Sequence, residues 1–216
     1  MNTALETRET RGWLRFGGAI LFVLLAAGCS SASSSGATTQ PTTAAISGSP
    51  TQSATARLTA ALEPVRAASA YETDVKVDGA TVVGVTGRTF GAARRLTVTT
   101  ASGSIEYIAI PPKAWARQGS GRWVLVAADQ APGAPLDVLA KPLTLEAGDA
   151  TATGSTFTAT YPAKALGLEG DPLRVTITVQ DQTLTFRYEA TTTGHATSST
   201  TTIRPAPADP IKAPAP

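Results

Sequence analysis

The chain has 216 residues, of which 42% are hydrophobic and 16% charged, and its formal net charge is +2. That suits one ordinary domain with flanking segments. It excludes a highly charged disordered protein, and the charge by itself points to no nucleic-acid partner. One Cys and one His exclude an internal disulfide and make a Cys/His zinc site implausible.

The N-terminus reads as an address. Arg8, Arg11 and Arg15 precede an apolar run over residues 19–27, and Gly28, Cys29 and a Ser-rich stretch follow. A basic region, a short apolar region and small residues at a cut are the parts of a secretory signal. A spanning helix needs about 20 apolar residues. Residues 16–28 are only thirteen and include Gly17 and Gly18, so a permanent transmembrane anchor is the weaker reading. Arg11 has no Arg neighbour, which leaves general export as the default over a twin-arginine route. Residues 25–30, LAAGCS, resemble a bacterial lipobox. The resemblance implies that the chain is cut before Cys29, that Cys29 is acylated, and that the mature protein is anchored to the outer face of the cytoplasmic membrane. The alternative is that Cys29 is a small buried thiol.

Residues 30–56 are Ser, Thr, Ala, Gly and Pro with no charge and only Ile46 as a large apolar residue. Such a stretch cannot bury enough surface to offset its ordering entropy and reads as a flexible tether. The expected organisation is therefore a signal peptide over 1–28, Cys29 and tether over 29–56, a β-rich domain over 57–204 and a Pro/Ala-rich tail over 205–216.

Within the domain, residues 56–63 predict a short helix with Leu58, Ala61 and Leu62 on one face, interrupted by Pro64. Residues 71–77 alternate, with Tyr71, Thr73, Val75 and Val77 facing one way and Glu72, Asp74 and Lys76 the other. This is the pattern of a strand wetted on one side. Asp78 and Gly79 predict a turn. Further strands are expected over 82–90, with Gly84 and Gly87 as bends, over 95–100 with Leu96 and Val98 inward, and over 105–110. A hairpin over 113–126 is expected to turn at residues 119–121. Residues 136–140 predict a short helix closed by Pro142. Strands resume over 143–146 and 155–161. The cleanest pair follows, with Val175, Ile177 and Val179 opposite Leu184, Phe186 and Tyr188. A Thr-rich strand over 195–204 comes last. About ten strands joined by short turns predict an antiparallel meander in a mainly β fold.

The order of parts resembles actinobacterial envelope lipoproteins of the LppX/LprG type and their LolA-like relatives. The resemblance rests on the lipobox and tether, the helix entering a meander, the Trp-bearing hairpin WARQGSGRW at 115–123, the helix LDVLA at 136–140, and the final DPIKAP at 209–214. It implies a curved antiparallel half-barrel with short helices on its concave side, and a hollow there that carries a lipid or another acylated molecule.

The residues themselves leave two readings open. Val75, Val77, Leu96, Val98, Val175, Ile177, Leu184 and Phe186 fit either a dry core or the lining of an apolar cavity. Trp115 and Trp123 read as cross-strand packing, or as a rim that touches lipid. Arg94, Arg95, Arg117 and Arg122 read as solvated faces, or as contacts for anionic head groups. His195 has no serine elbow or carboxylate set near it in sequence, and the acidic pairs Glu72/Asp74 and Glu169/Asp171 form no EF-hand. No catalytic residue, metal ligand or cofactor is assigned. The expected function is a membrane-tethered carrier or binder of a lipid, the alternative a non-catalytic scaffold or sensor module with a filled core. The Thr-rich last strand would give that module an exposed edge.

Overall fold

The computed structural model describes residues 52–151 and 154–215. The expected signal peptide, Cys29 and most of the expected tether lie outside the described residues. Helix α1 spans Ala54–Arg66. It starts where the Ser53 hydroxyl accepts from the Ala56 backbone N–H at 3.2 Å, satisfying one of the free donors of the first turn. Pro64 does not interrupt the helix as the sequence suggests. It sits inside the last turn, and the helix ends at Arg66, directly before a strand.

Eleven strands follow: β1 Ala68–Val77, β2 Ala80–Phe90, β3 Ala93–Thr100, β4 Gly103–Ile110, β5 Lys113–Gln118, β6 Val124–Val126, β7 Thr144–Ala150, β8 Gly154–Tyr161, β9 Leu173–Gln180, β10 Thr183–Thr192 and β11 His195–Pro205. All pair antiparallel in one open, curved sheet of order β6-β5-β4-β3-β2-β1-β11-β10-β9-β8-β7. The expected mainly β half-barrel is therefore present, built from two meanders joined at their first and last strands. The Thr-rich β11 is not an edge. It pairs with β1 on one side and β10 on the other. Its inward side chains Thr197, Ser199 and Thr201 are buried. The Thr201 hydroxyl lies 2.7 Å from that of Thr73, which satisfies both.

The tight turns are set by local chemistry. Asp78-Gly79 and Thr193-Gly194 have φ of 49° and 83°, and 50° and 83°. These are the left-handed pairs whose twist matches a two-residue hairpin. Asp181 and Gln182 adopt the same geometry at 48° and 63° without a glycine.

The two edges, β6 and β7, are consecutive in the chain. A flat sheet of this size would hold them about 48 Å apart at about 4.8 Å per strand. The linker over 127–143 contains a 3-10 turn at Ala128–Gln130 and helix α2 at Pro135–Leu139. Fully stretched it reaches roughly the same distance, with nothing to spare. Curling the sheet gives the linker slack, and it uses that slack to pack. Leu139 is fully buried, with Leu136 and Val138 against the same core. The second short helical turn, Ala163–Leu166, lies between β8 and β9.

Register sorts the side chains into two faces. Tyr71 lies opposite Ile203, and Ile203 opposite Leu184; Phe186 lies opposite Ile177, and Ile177 opposite Phe157. These residues share the concave face. With Leu58, Leu62 and Val65 of α1 and Leu139 of α2 they form the core. Each fully buried side chain of this size contributes about 1.5–3 kcal/mol.

Candidate functional site: the concave face

Helix α1 covers one half of the sheet. Its 13 residues span about 20 Å, close to the ~19 Å of four strand spacings. Near its start the Arg57 guanidinium lies 5.4 Å from the centre of the Phe157 ring on β8. Its end runs into β1, and its main contacts are with β1, β7 and β11. Its side chains Leu58, Leu62 and Val65 share one core with Leu96 on β3.

The linker is fastened to both wings. On β3, Arg94 turns inward and donates from Nε to the Pro132 carbonyl at 2.7 Å and from Nη2 to the Ala131 carbonyl at 3.1 Å. On β8, the Tyr161 hydroxyl donates to the Leu139 carbonyl at 3.0 Å. Arg94 is thus a structural clamp, not a member of an outward basic group. Burial pushes the Tyr161 phenol up to about 12. The same cause raises Tyr71 to about 12, with the Arg94 charge pulling slightly the other way.

Toward the β1–β2 and β3–β4 turns lies an aliphatic strip. Val75 and Val77 on β1, Val83 and Val85 on β2, and Val98 on β3 are half-buried, and Ile105 on β4 is 37% exposed. Val75 faces Val83, Val85 faces Val98, and Val98 faces Ile105. The strip is one continuous apolar surface that runs into the core, against which Val85 and Val98 pack.

The sequence-derived candidates therefore divide into three groups. Leu96, Val175, Ile177 and Leu184 are at most 1% exposed, and Phe186 is also buried. Their surfaces are already covered by the chain's own side chains. Val75, Val77 and Val98 belong to the strip. Trp115 and Trp123 are corrected to the opposite, convex side. Trp115 pairs with Ile108 and Leu125, one position out of phase with the concave row of Leu96, Tyr107 and Ala116. Trp123 stacks on the Arg117 guanidinium at 4.7 Å instead of pairing with Trp115. Sequence reasoning missed Val83, Val85 and Ile105 as site residues. Their alternation was readable, but Gly84 and Gly87 obscured the phase of β2.

Two clefts open on the convex face. One of about 370 Å³ lies between β2–β5 and the segment 209–214, and one of about 500 Å³ lies beside the β9–β10 turn. Neither is lined by a residue of the strip. His195 is exposed and sits 2.6 Å from the Asp78 carboxylate. Among the described residues no group of three or more His, Cys, Asp or Glu side chains could hold a metal ion, and no helix is long and apolar enough to cross a membrane.

No protein-family model matches the chain. No curated protein matches it in sequence either.

Proposed function

We propose that this protein is an exported lipoprotein, held on the outer face of the cytoplasmic membrane by acyl chains on Cys29, that shelters an apolar guest such as a lipid alkyl chain on the uncovered wing of its concave face. The observation that carries this reading is the strip from Val75 to Ile105. Six aliphatic side chains lie side by side near the β1–β2 and β3–β4 turns, continuous with the core and still partly open to water. Covering them with alkyl chain yields about 25 cal/mol per Å² removed from water. The guest lies over β1–β4, because the β8–β10 wing is filled.

That filled wing favours the second reading, a scaffold or sensor module without a guest, since Phe157, Val175, Ile177 and Leu184 leave no room beside them.

The reading is tested with the full chain and a fluorescent long-chain fatty acid. Val98→Asp and Ile105→Asp are expected to weaken binding at least tenfold, while Leu125→Asp on the convex face leaves it unchanged. Absence of binding by the parent chain, or equal effects of all three substitutions, rejects the guest and favours the module. Labelled palmitate incorporated into the parent and not into Cys29→Ala tests the anchor.

A further inference from the structure

After β11 the chain folds back over the convex face. The Ala206 N–H donates to the Ala68 carbonyl at 3.2 Å, the Arg88 guanidinium holds the Asp209 carboxylate at 3.1 Å, and Ile211 is buried, as is Ile108 on β4. This strap roofs the cleft of about 370 Å³, a volume at the small end of ligand sites.

We propose that this cleft binds a phosphate group, held by Arg88, Arg95, Arg117 and Lys212. The inference does not rest on the concave-face reading. Arg88 and Arg95 lie directly opposite each other on neighbouring strands, an arrangement of like charges that destabilises a sheet unless something compensates it. Glu106 takes part of the load, with Arg95 at 3.2 Å and Arg117 at 2.8 Å, and Asp209 takes another part. Four cations against two carboxylates leave two positive charges, which matches the roughly −1.5 to −2 of a phosphate monoester. The supply of donors matches as well. The Arg117 Nε–H is buried with no hydrogen-bond partner among the described residues, and the Trp123 ring over the same guanidinium fixes its plane. Arg88 and Arg95 each use one terminal nitrogen on Asp209 or Glu106, and with side chains 38% and 51% exposed they present their remaining N–H donors to oxygen atoms from outside. The phosphate could be borne by a soluble molecule or by a lipid head group; the same guanidinium chemistry serves both.

The experiment uses the full chain and two probes: inorganic phosphate by titration calorimetry, and sedimentation with vesicles of phosphatidylcholine with and without phosphatidic acid, a lipid phosphomonoester. Phosphate binding weakened tenfold or more by Arg95→Gln and by Lys212→Gln supports the site and a soluble source. No binding of free phosphate, but a preference for phosphatidic acid that both substitutions remove, supports the site and a head-group source. Absence of both, or binding that survives both substitutions, overturns it. Lys212 is exposed on the strap, so if Arg95→Gln melts early, Lys212→Gln alone decides.

Discussion

Gly87 on β2 lies directly beneath the ring of Tyr71 on β1. A methyl group at Gly87 would collide with the ring and hydroxyl of Tyr71, and the two residues are register partners across the strand pair. The glycine is there because the phenol occupies the space that its side chain would need. Tyr71 is buried, and its hydroxyl has no hydrogen-bond partner among the described residues. Gly87→Ala is expected to destabilise the fold by about 1–3 kcal/mol, the cost of overpacking. In a Tyr71→Leu background the same change should cost less, with a coupling of about 0.5–3 kcal/mol between the two positions. Urea unfolding of the four proteins measures this, and additive effects would show that the ring does not impose the glycine.

The two wings of the concave face should respond differently to truncation. Ile177 is fully buried, and Ile177→Ala should cost about 2–5 kcal/mol through lost burial and a residual cavity. Ile105 is 37% exposed and lies at the rim of the strip. Ile105→Ala should cost under about 1.5 kcal/mol, because less of its surface leaves water on folding. Equal losses in denaturant unfolding would mean that the β2–β4 wing is as filled as the other.

Stability should fall at alkaline pH. Burial raises the Tyr71 and Tyr161 phenols to about 12, and Tyr107 and Tyr188 shift the same way. In the unfolded chain tyrosine ionises near 10. The folded state therefore holds these protons more tightly, so its advantage is complete below about pH 10 and is lost as pH rises through about 12. Ionised Tyr161 also ceases to donate to Leu139, releasing α2 from β8. Denaturant midpoints that stay constant across this window would contradict the burial of these phenols.

At the other end of the scale, the Asp78 carboxyl is held below its ordinary range. The hydrogen bond with His195 contributes most to this, and the Ala196 N–H at 3.0 Å adds to it. A lowered folded value means that the contribution is present above the ordinary carboxylate range and is lost as pH falls through the lowered one. His195→Ala should return the Asp78 carboxyl toward its ordinary value in a carbon NMR titration. An unchanged titration would show that the pair between the β1–β2 turn and β11 does not form.

Much of the sheet was legible because period-two alternation is a local signal. Residues 71–77 and the β9–β10 pair carry it without interruption, and their registers place Val175, Ile177, Leu184 and Phe186 on one buried face as the alternation requires. Position in the sheet is not local. Nothing in the Thr-rich run of β11 marks it as central, because its inward Thr and Ser side chains are satisfied by partners such as Thr73 on another strand. The phase of the Trp hairpin was misjudged for a related reason. Trp115 and Trp123 appear mirrored about Gly119 and Gly121, but the pairing puts Leu125 opposite Trp115. The strap is legible only as the final DPIKAP string at 209–214, which the resemblance makes a strand and the structure does not. Its Pro and Ala residues have no periodicity, and what ties it down, the burial of Ile211 and the Arg88–Asp209 ion pair, joins it to residues far away in the chain.

The central claim is that the open wing holds a guest, and native mass spectrometry of the protein extracted from its own membranes tests it most directly. The account predicts a population heavier than the acylated polypeptide by one non-covalently held amphiphile, which collisional activation removes and which is depleted in Val98→Asp. Spectra showing only the acylated polypeptide, with parent and Val98→Asp differing by no more than the mass of the substitution itself, would contradict it.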